Sequence, residues 1–332
     1  MIITRTPLRL SFVGGGSDLP AFYENERGAV VSTAIDKYIY INVNPKFDHK
    51  IRASYSITEI VDTVDELQHE LIREAMYLLN IREGIEITSI SDIPSRGTGL
   101  GSSSSYTVGL LNALYAYTGR MAGAERLANE ACHIELDRCH KPIGKQDQYI
   151  AAYGGLQYIR FNPDGSVFTD PVICSASIRK RLDSRLLLLY TGLTRKADNI
   201  LAEQTRQTRS SEEKRASLRY MVSLADQLCD ALGRDDLDGF GEILHAGWLE
   251  KRKLATNISN SSIDDWYERA RAAGAIGGKL AGAGGGGFLL LYADPAHHND
   301  ICRALPELQR VPFHFCPQGS KVIYVEENGY KG

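Results

Sequence analysis

The stretch PSRGTGLGSSSSYTVGLL, residues 94–111, constrains this chain more than any other. Gly97, Gly99 and Gly101 alternate with other residues, Ser102, Ser103, Ser104 and Ser105 follow, and an apolar run comes directly behind. Glycines reduce backbone bulk, and a helix beginning at the serines leaves its first N–H groups without intrahelical partners. Those donors sit at the positive end of the helix dipole, which is what an anion such as phosphate needs. The lysine of G-x-x-x-x-G-K-[ST] is missing, so this is no P-loop. A flexible linker would not run straight into an apolar helix. A serine hydroxyl here can also reach a Mg2+.

Two other glycine-rich stretches need weighing. FVGGGSDLP, from Phe12, follows a strand-like run and has Asp36 at about the distance of a ribose-binding acid, as in a dinucleotide-binding turn. Leu19, however, stands where the third glycine of that fingerprint should let helix and strand pack closely. GAGGGG, Gly282–Gly287, matches G-x-G-x-x-G literally but precedes the strand-like FLLLYAD instead of opening a helix. Four successive glycines before a strand point to another backbone, or a ligand, coming very close.

At 332 residues the chain has room for two domains. A net charge of −3 with no basic block argues against nucleic acid or an anionic membrane as partner. The six cysteines form no C-x-x-C pair and read as free thiols in a reducing, cytoplasmic setting. Strands are expected at LRLSFV, in two stretches of AVVSTAIDKYIYINVNP, and at GIEITSI, RLLLLYTG, VPFHF and KVIYVEE. Helices are expected over Asp65–Leu79, Ser102–Tyr117 and Ala124–Cys139, the last stopped by Lys141-Pro142. Asn162-Pro163-Asp164-Gly165 is turn chemistry for a hairpin. A long charged helical region is expected from Lys196 to Thr256, then helices over Ile263–Ala273 and near His297. Mixed strands and helices in both halves suggest two α/β or α+β layers.

Two carboxylates stand out. Glu135 lies three residues after Cys132 and four before Cys139, on the face that two buried-type side chains share. Spacing alone leaves open whether it is exposed or inward with a cation or donor as partner. The Cys132/His133 and Cys139/His140 pairs have poor geometry for zinc. Asp147, in GKQDQ, is either a helix cap or an acceptor of a proton from a substrate hydroxyl, with Arg9 as a neighbouring cation.

Three motifs in order, TPLRLSFVGGGSD, PSRGTGLGSSSS and KLAGAGGGGF, resemble those of the GHMP small-molecule kinases and span nearly the whole chain. The resemblance implies an α+β fold of two domains, 1–180 like the second domain of ribosomal protein S5 and 181–332 ferredoxin-like, with ATP and Mg2+ in the cleft between them. By position it implies ATP binding by Gly97, Gly99, Gly101, Ser102, Ser103 and Ser104, and a Mg2+ shared by Ser103 and Glu135. Asp147 and Arg9 match the catalytic pair, and Gly284, Gly285 and Gly286 the third motif. Gly15, Gly16, Ser17 and Asp18 match the sugar-binding turn.

Galactokinases in this family carry GEHTD where this chain has GGGSD, so Gly15 and Gly16 replace a Glu and a His. The expectation is opened space and one negative charge fewer, suiting a bulkier or anionic sugar. The first two motifs look most like the branch acting on heptose 7-phosphates, which phosphorylates the anomeric hydroxyl. A small sugar phosphate is then the expected partner, its distal phosphate held by Lys145 and Arg195. An anomeric kinase of L-fucose is the alternative within the family. An NAD-dependent oxidoreductase and a non-catalytic sugar sensor are alternatives of other classes. A homodimer is compatible with apolar faces such as SLRYMVSLADQL.

Overall fold

The computed structural model describes residues 1–94, 97–194 and 197–326. β1 (Ile2–Val13), second from one edge of the first sheet, passes through the Gly14–Gly16 turn to a short helix, α1 (Pro20–Tyr23). The two strand-like stretches that follow form a single strand, β2 (Gly28–Pro45), long enough to serve several neighbours. One edge of β2 pairs with β1 from Val31 to Val43. β3 (Ile51–Ser54) and β4 (Thr58–Val61) make a hairpin.

The helix expected over Asp65–Leu79 is shorter: α2 spans Glu70–Leu78. The buried Glu59 carboxylate takes the N–H groups of Gln68 (2.6 Å) and His69 (3.1 Å), which leaves them outside the helix, and His69 then caps it. β5 (Ile85–Ser91) precedes α3 (Ser102–Tyr117), which has the bounds read from the sequence. α4 (Ala124–Cys132) continues as a π-helical turn over His133–Arg138 in place of the regular helix expected to Cys139. α5 (Gln146–Tyr153) leads into the hairpin β6 (Leu156–Phe161) and β7 (Val167–Pro171). β5 pairs with the far half of β2 and β6 with the near half, so β2 organises the sheet.

After α6 (Ala176–Ser184), β8 (Leu186–Tyr190) opens a second sheet. The charged helical region is three helices, α7 (Ala197–Ser210), α8 (Glu212–Gly233) and α9 (Leu237–Lys251). The breaks fall at caps: Ser211 accepts from the Lys214 amide and Asp236 from the Gly239 amide. Then come α10 (Ser261–Ala272), β9 (Ala275–Leu280), β10 (Phe288–Ala293), α11 (His298–Ala304) and β11 (Gln309–Arg310). The sheet order β11-β8-β10-β9 is antiparallel throughout, the 4-1-3-2 arrangement of a ferredoxin-like unit. β10 is buried at every position, as an unbroken apolar strand between layers should be.

VPFHF is not a ladder strand. Its Phe315 makes one isolated bridge to Ile35, and Asp183 takes the Phe315 amide at 2.8 Å as the segment crosses back. β12 (Lys321–Val325) then pairs antiparallel with β1, so the end of the second half is part of the first sheet. Among the described residues, no helix is long and apolar enough to cross a membrane.

Candidate active site

The sequence 97–105 forms a loop that opens directly into α3. Gly97, Gly99 and Gly101 all adopt positive φ, and Gly101 stands at the helix N-cap with no side chain capping it. The first amides of α3 therefore face a cleft of about 670 Å3, lined by Gly97, Gly99, Gly101, Ser102, Ser103 and Ser104.

The second half of the chain forms the opposite wall. A Cβ on Gly282 would lie 2.4 Å from Gly99 Cα, and one on Gly99 would lie 2.4 Å from the Ala281 carbonyl oxygen. The third glycine motif thus lies backbone against backbone on the first loop, which no larger residue permits. Gly284 and Gly286 line the cleft, while Gly285 turns aside and donates its amide to Ile258 O at 2.9 Å.

At the cleft floor, Arg9 grips Asp147 with two nitrogens, Nε to Oδ1 and Nη2 to Oδ2, both at 2.6 Å. Its Nη1 donates to Gly99 O at 2.5 Å. This bidentate fork fixes the Asp147 carboxylate in direction as well as charge. Glu135 is fully buried, carried inward by the π-helical turn, and faces the start of α3. It accepts from Ser103 Oγ at 2.9 Å and Gln148 Nε2 at 2.6 Å. Burial raises its pKa to about 7, although hydrogen bonds from Ser104, Ser103 and Gln148 act the other way.

The turn after β1 supplies Asp18, which accepts from the Gly16 amide at 2.8 Å and from Gln146 Nε2 at 3.1 Å. Burial raises its pKa too. Gly15 and Gly16 line the cleft, and the space beside Gly16 is taken from the far wall. A Cβ on Gly16 would meet Gln204 Nε2 at 2.2 Å, and one on Gly15 would come within 3.9 Å of Lys251 Nζ. Beside Gly16 the expected opening is therefore refilled by the Gln204 amide from α7, whereas around Gly15 the nearest atoms, Gln146 Nε2, Ser11 Oγ and Lys251 Nζ at 3.6–3.9 Å, stand at ordinary contact distance.

Two expected substrate residues are not brought into the cleft. Ser17 is buried, its hydroxyl donating to Gly14 O at 2.8 Å and accepting from the Ala29 amide at 3.1 Å, so it secures the turn. Lys145 donates to Gly165 O at 3.0 Å and sits over the Tyr23 ring. It lines a smaller cavity of about 400 Å3 that shares Leu19, Lys141 and Ile143 with the cleft. Arg195 lies outside the described residues.

Sequence reasoning missed Ser11, Gln146, Gln148, Gln204 and Lys251. QDQ around Asp147 carried a signal for the first two glutamines. Gln204 and Lys251 lie in charged helical sequence with nothing to mark them. Burial lowers the Lys251 pKa to about 8.

Among the described residues no three His, Cys, Asp or Glu side chains cluster as a metal cage. Ser103 Oγ and the Glu135 carboxylate present adjacent oxygens at the start of α3, a pair that fits Mg2+, an ion that keeps waters and phosphate oxygens as most of its ligands.

Comparison with known proteins gives the family and the fold. Residues 60–155 match the GHMP kinases N terminal domain and residues 228–310 the GHMP kinases C terminal domain. The D-glycero-alpha-D-manno-heptose 7-phosphate kinase of Campylobacter jejuni is 29% identical, over 96% of this chain and 98% of its own. The bifunctional fucokinase/GDP-fucose pyrophosphorylase of Arabidopsis thaliana is 26% identical over 87% of this chain, which spans 30% of that longer protein. The crystal structure of a D-glycero-D-manno-heptose 1-phosphate kinase from Bacteroides thetaiotaomicron superposes with a TM-score of 0.81 at 24% identity, covering 98% of this chain and all of that one.

Proposed function

Since the chain belongs to the GHMP kinase family, phosphotransferases that draw on ATP, we propose that it phosphorylates the anomeric hydroxyl of D-glycero-D-manno-heptose 7-phosphate to give the 1,7-bisphosphate. The observation that carries phosphotransfer is the Arg9–Asp147 pair set beside an uncapped helix N-terminus in one cleft. The choice of sugar rests on end-to-end likeness to the Campylobacter jejuni enzyme and on a cleft that joins a second, lysine-bearing cavity.

The amides of the glycine loop and the first turn of α3 hold the ATP phosphates. Ser103 and Glu135 would hold the Mg2+, which offsets charge on the phosphates. Asp147, fixed by Arg9, accepts the hydrogen bond of the anomeric hydroxyl and takes its proton as that oxygen attacks the γ-phosphorus. The bond to the β,γ-bridging oxygen breaks and ADP leaves. An anomeric hydroxyl is more acidic than an ordinary alcohol, so positioning supplies much of the rate. Asp18 and Gln146 face the sugar hydroxyls, and Lys145 takes the distal phosphate through the adjoining cavity.

ATP consumption against a panel of sugars and sugar 7-phosphates, with products read by phosphorus NMR, tests this. A new anomeric phosphate on heptose 7-phosphate is expected. The fucokinase likeness makes L-fucose the second reading. Faster turnover of L-fucose would replace the first.

A further inference from the structure

One cation in the cleft is buried with no carboxylate in contact, although the charges of Asp18 and Asp147 lie near enough to favour it. Lys251 is 6% exposed, and its ammonium donates to the carbonyl of Gly282. Among the described residues it forms no ion pair, although Arg9 is held by Asp147. An ammonium has three donors, one of which goes to that carbonyl, and Lys251 lines the cleft. Burial and the Arg9 charge act against the ammonium, Asp18 and Asp147 offset them only in part, and an anion in contact would stabilise it further.

Its position says which anion. Nζ lies 3.9 Å from where a Gly15 Cβ would be, on the turn that faces the acceptor. Its partner Gly282 rests on Gly99 of the phosphate loop. Lys251 thus stands between the donor and acceptor ends of the cleft. Ser11 Oγ, Gln146 Oε1 and Gln204 Nε2, also buried and without hydrogen-bond partners, line the same space. Lys279 differs: it is buried away from the cleft and donates to Phe12 O at 3.1 Å.

Resting on the phosphotransfer reading above, we propose that Lys251 is a ligand of the phosphoryl group in flight, donating hydrogen bonds to a non-bridging oxygen of the γ-phosphorus. Charge on those oxygens is shared out as the acceptor O–P bond forms and the bond to the β,γ-bridging oxygen breaks. The hydroxyl proton goes to Asp147 and the electron pair of the broken bond to ADP. Lys251 keeps its protons throughout and acts by charge and direction, from a side chain that is itself largely shielded from water.

The test is K251M, nearly isosteric and uncharged, assayed with whichever sugar the wild-type enzyme turns over fastest. The expected result is a fall in kcat of about 10²–10³-fold with KM for both substrates within about 3-fold. Binding of Mg·ADP with aluminium fluoride, measured beside Mg·ADP alone, reads the same contact without turnover. K251M should weaken the first at least about 10-fold and leave the second unchanged. Adding methylammonium to K251A should restore part of kcat. Near-native kcat in K251M overturns the proposal, as does a loss confined to the KM of phosphorylated sugars, which would make Lys251 a reader of the substrate's own phosphate. Equal weakening of both nucleotide complexes with a lowered Tm overturns it in favour of a structural lysine. A wild-type preference for another sugar removes the heptose reading and leaves the K251M ratio to decide the lysine.

Discussion

Arg9 holds Asp147 through both carboxylate oxygens at 2.6 Å while its remaining nitrogen is tied to the carbonyl of Gly99, so one guanidinium fixes the acid and the phosphate loop together. The two variants should therefore differ. D147N is expected to lower kcat by about 10² or more with little change in the KM for ATP. R9K keeps the charge but loses the fork, and is expected to lower kcat and raise the KM for ATP at once. Steady-state kinetics with both substrates varied checks the contrast, and an unchanged kcat in D147N removes Asp147 from the mechanism.

Glu135 gives a pH signature in the ligand-free protein. Its folded pKa of about 7 lies above the ordinary 4.5, so between those values the folded state keeps a proton that the unfolded chain has released. Stability should then fall as pH rises from 4.5 to 7, by roughly 3 kcal/mol from this group. Asp18, also raised, acts in the same direction. Chemical denaturation across that window should show a shallower slope for E135Q than for wild type, and matching slopes would contradict the burial of an ionisable Glu135.

The contact between Gly99 and Gly282 leaves no room for a methyl group. G282A is expected to destabilise the protein by roughly 2 kcal/mol or more and to raise the KM for ATP, because the loop must shift to admit a Cβ at positive φ. A substitution at Gly233, where a Cβ meets nothing, is the control. Equal Tm and KM in both variants would mean the two motifs do not brace one another.

Lys145 separates the sugars. If the distal phosphate enters the smaller cavity, K145A raises the KM for heptose 7-phosphate roughly 10-fold and leaves that for an unphosphorylated sugar unchanged. The same increase for both would place Lys145 in the support of Tyr23 and the β6–β7 turn instead.

The sequence made α3 legible to the residue because glycines, serines and an apolar run all mark the same boundary. Local propensity could not reveal that Glu59 holds the amides of Gln68 and His69 outside α2, since that bond is made by tertiary packing. The inward turn of Glu135 depends on a π-helical segment that HIELDR does not announce. Gln204 sits in a charged helix, and Lys251, followed by Arg252 and Lys253, looks like the solvated last turn of a helix. Only the packing of the second half on the first shows that Lys251 is enclosed and its two neighbours are not.

The pairing of β12 with β1 has a consequence for how the molecule is made. The first strand leaves the ribosome long before its outer neighbour exists, and during that interval one margin of it offers bare N–H and C=O groups to any passing segment. Maturation of the first sheet must therefore wait for β12. A product cut short of Lys321 would keep a permanently adhesive edge and should accumulate as aggregates, not as a smaller working enzyme.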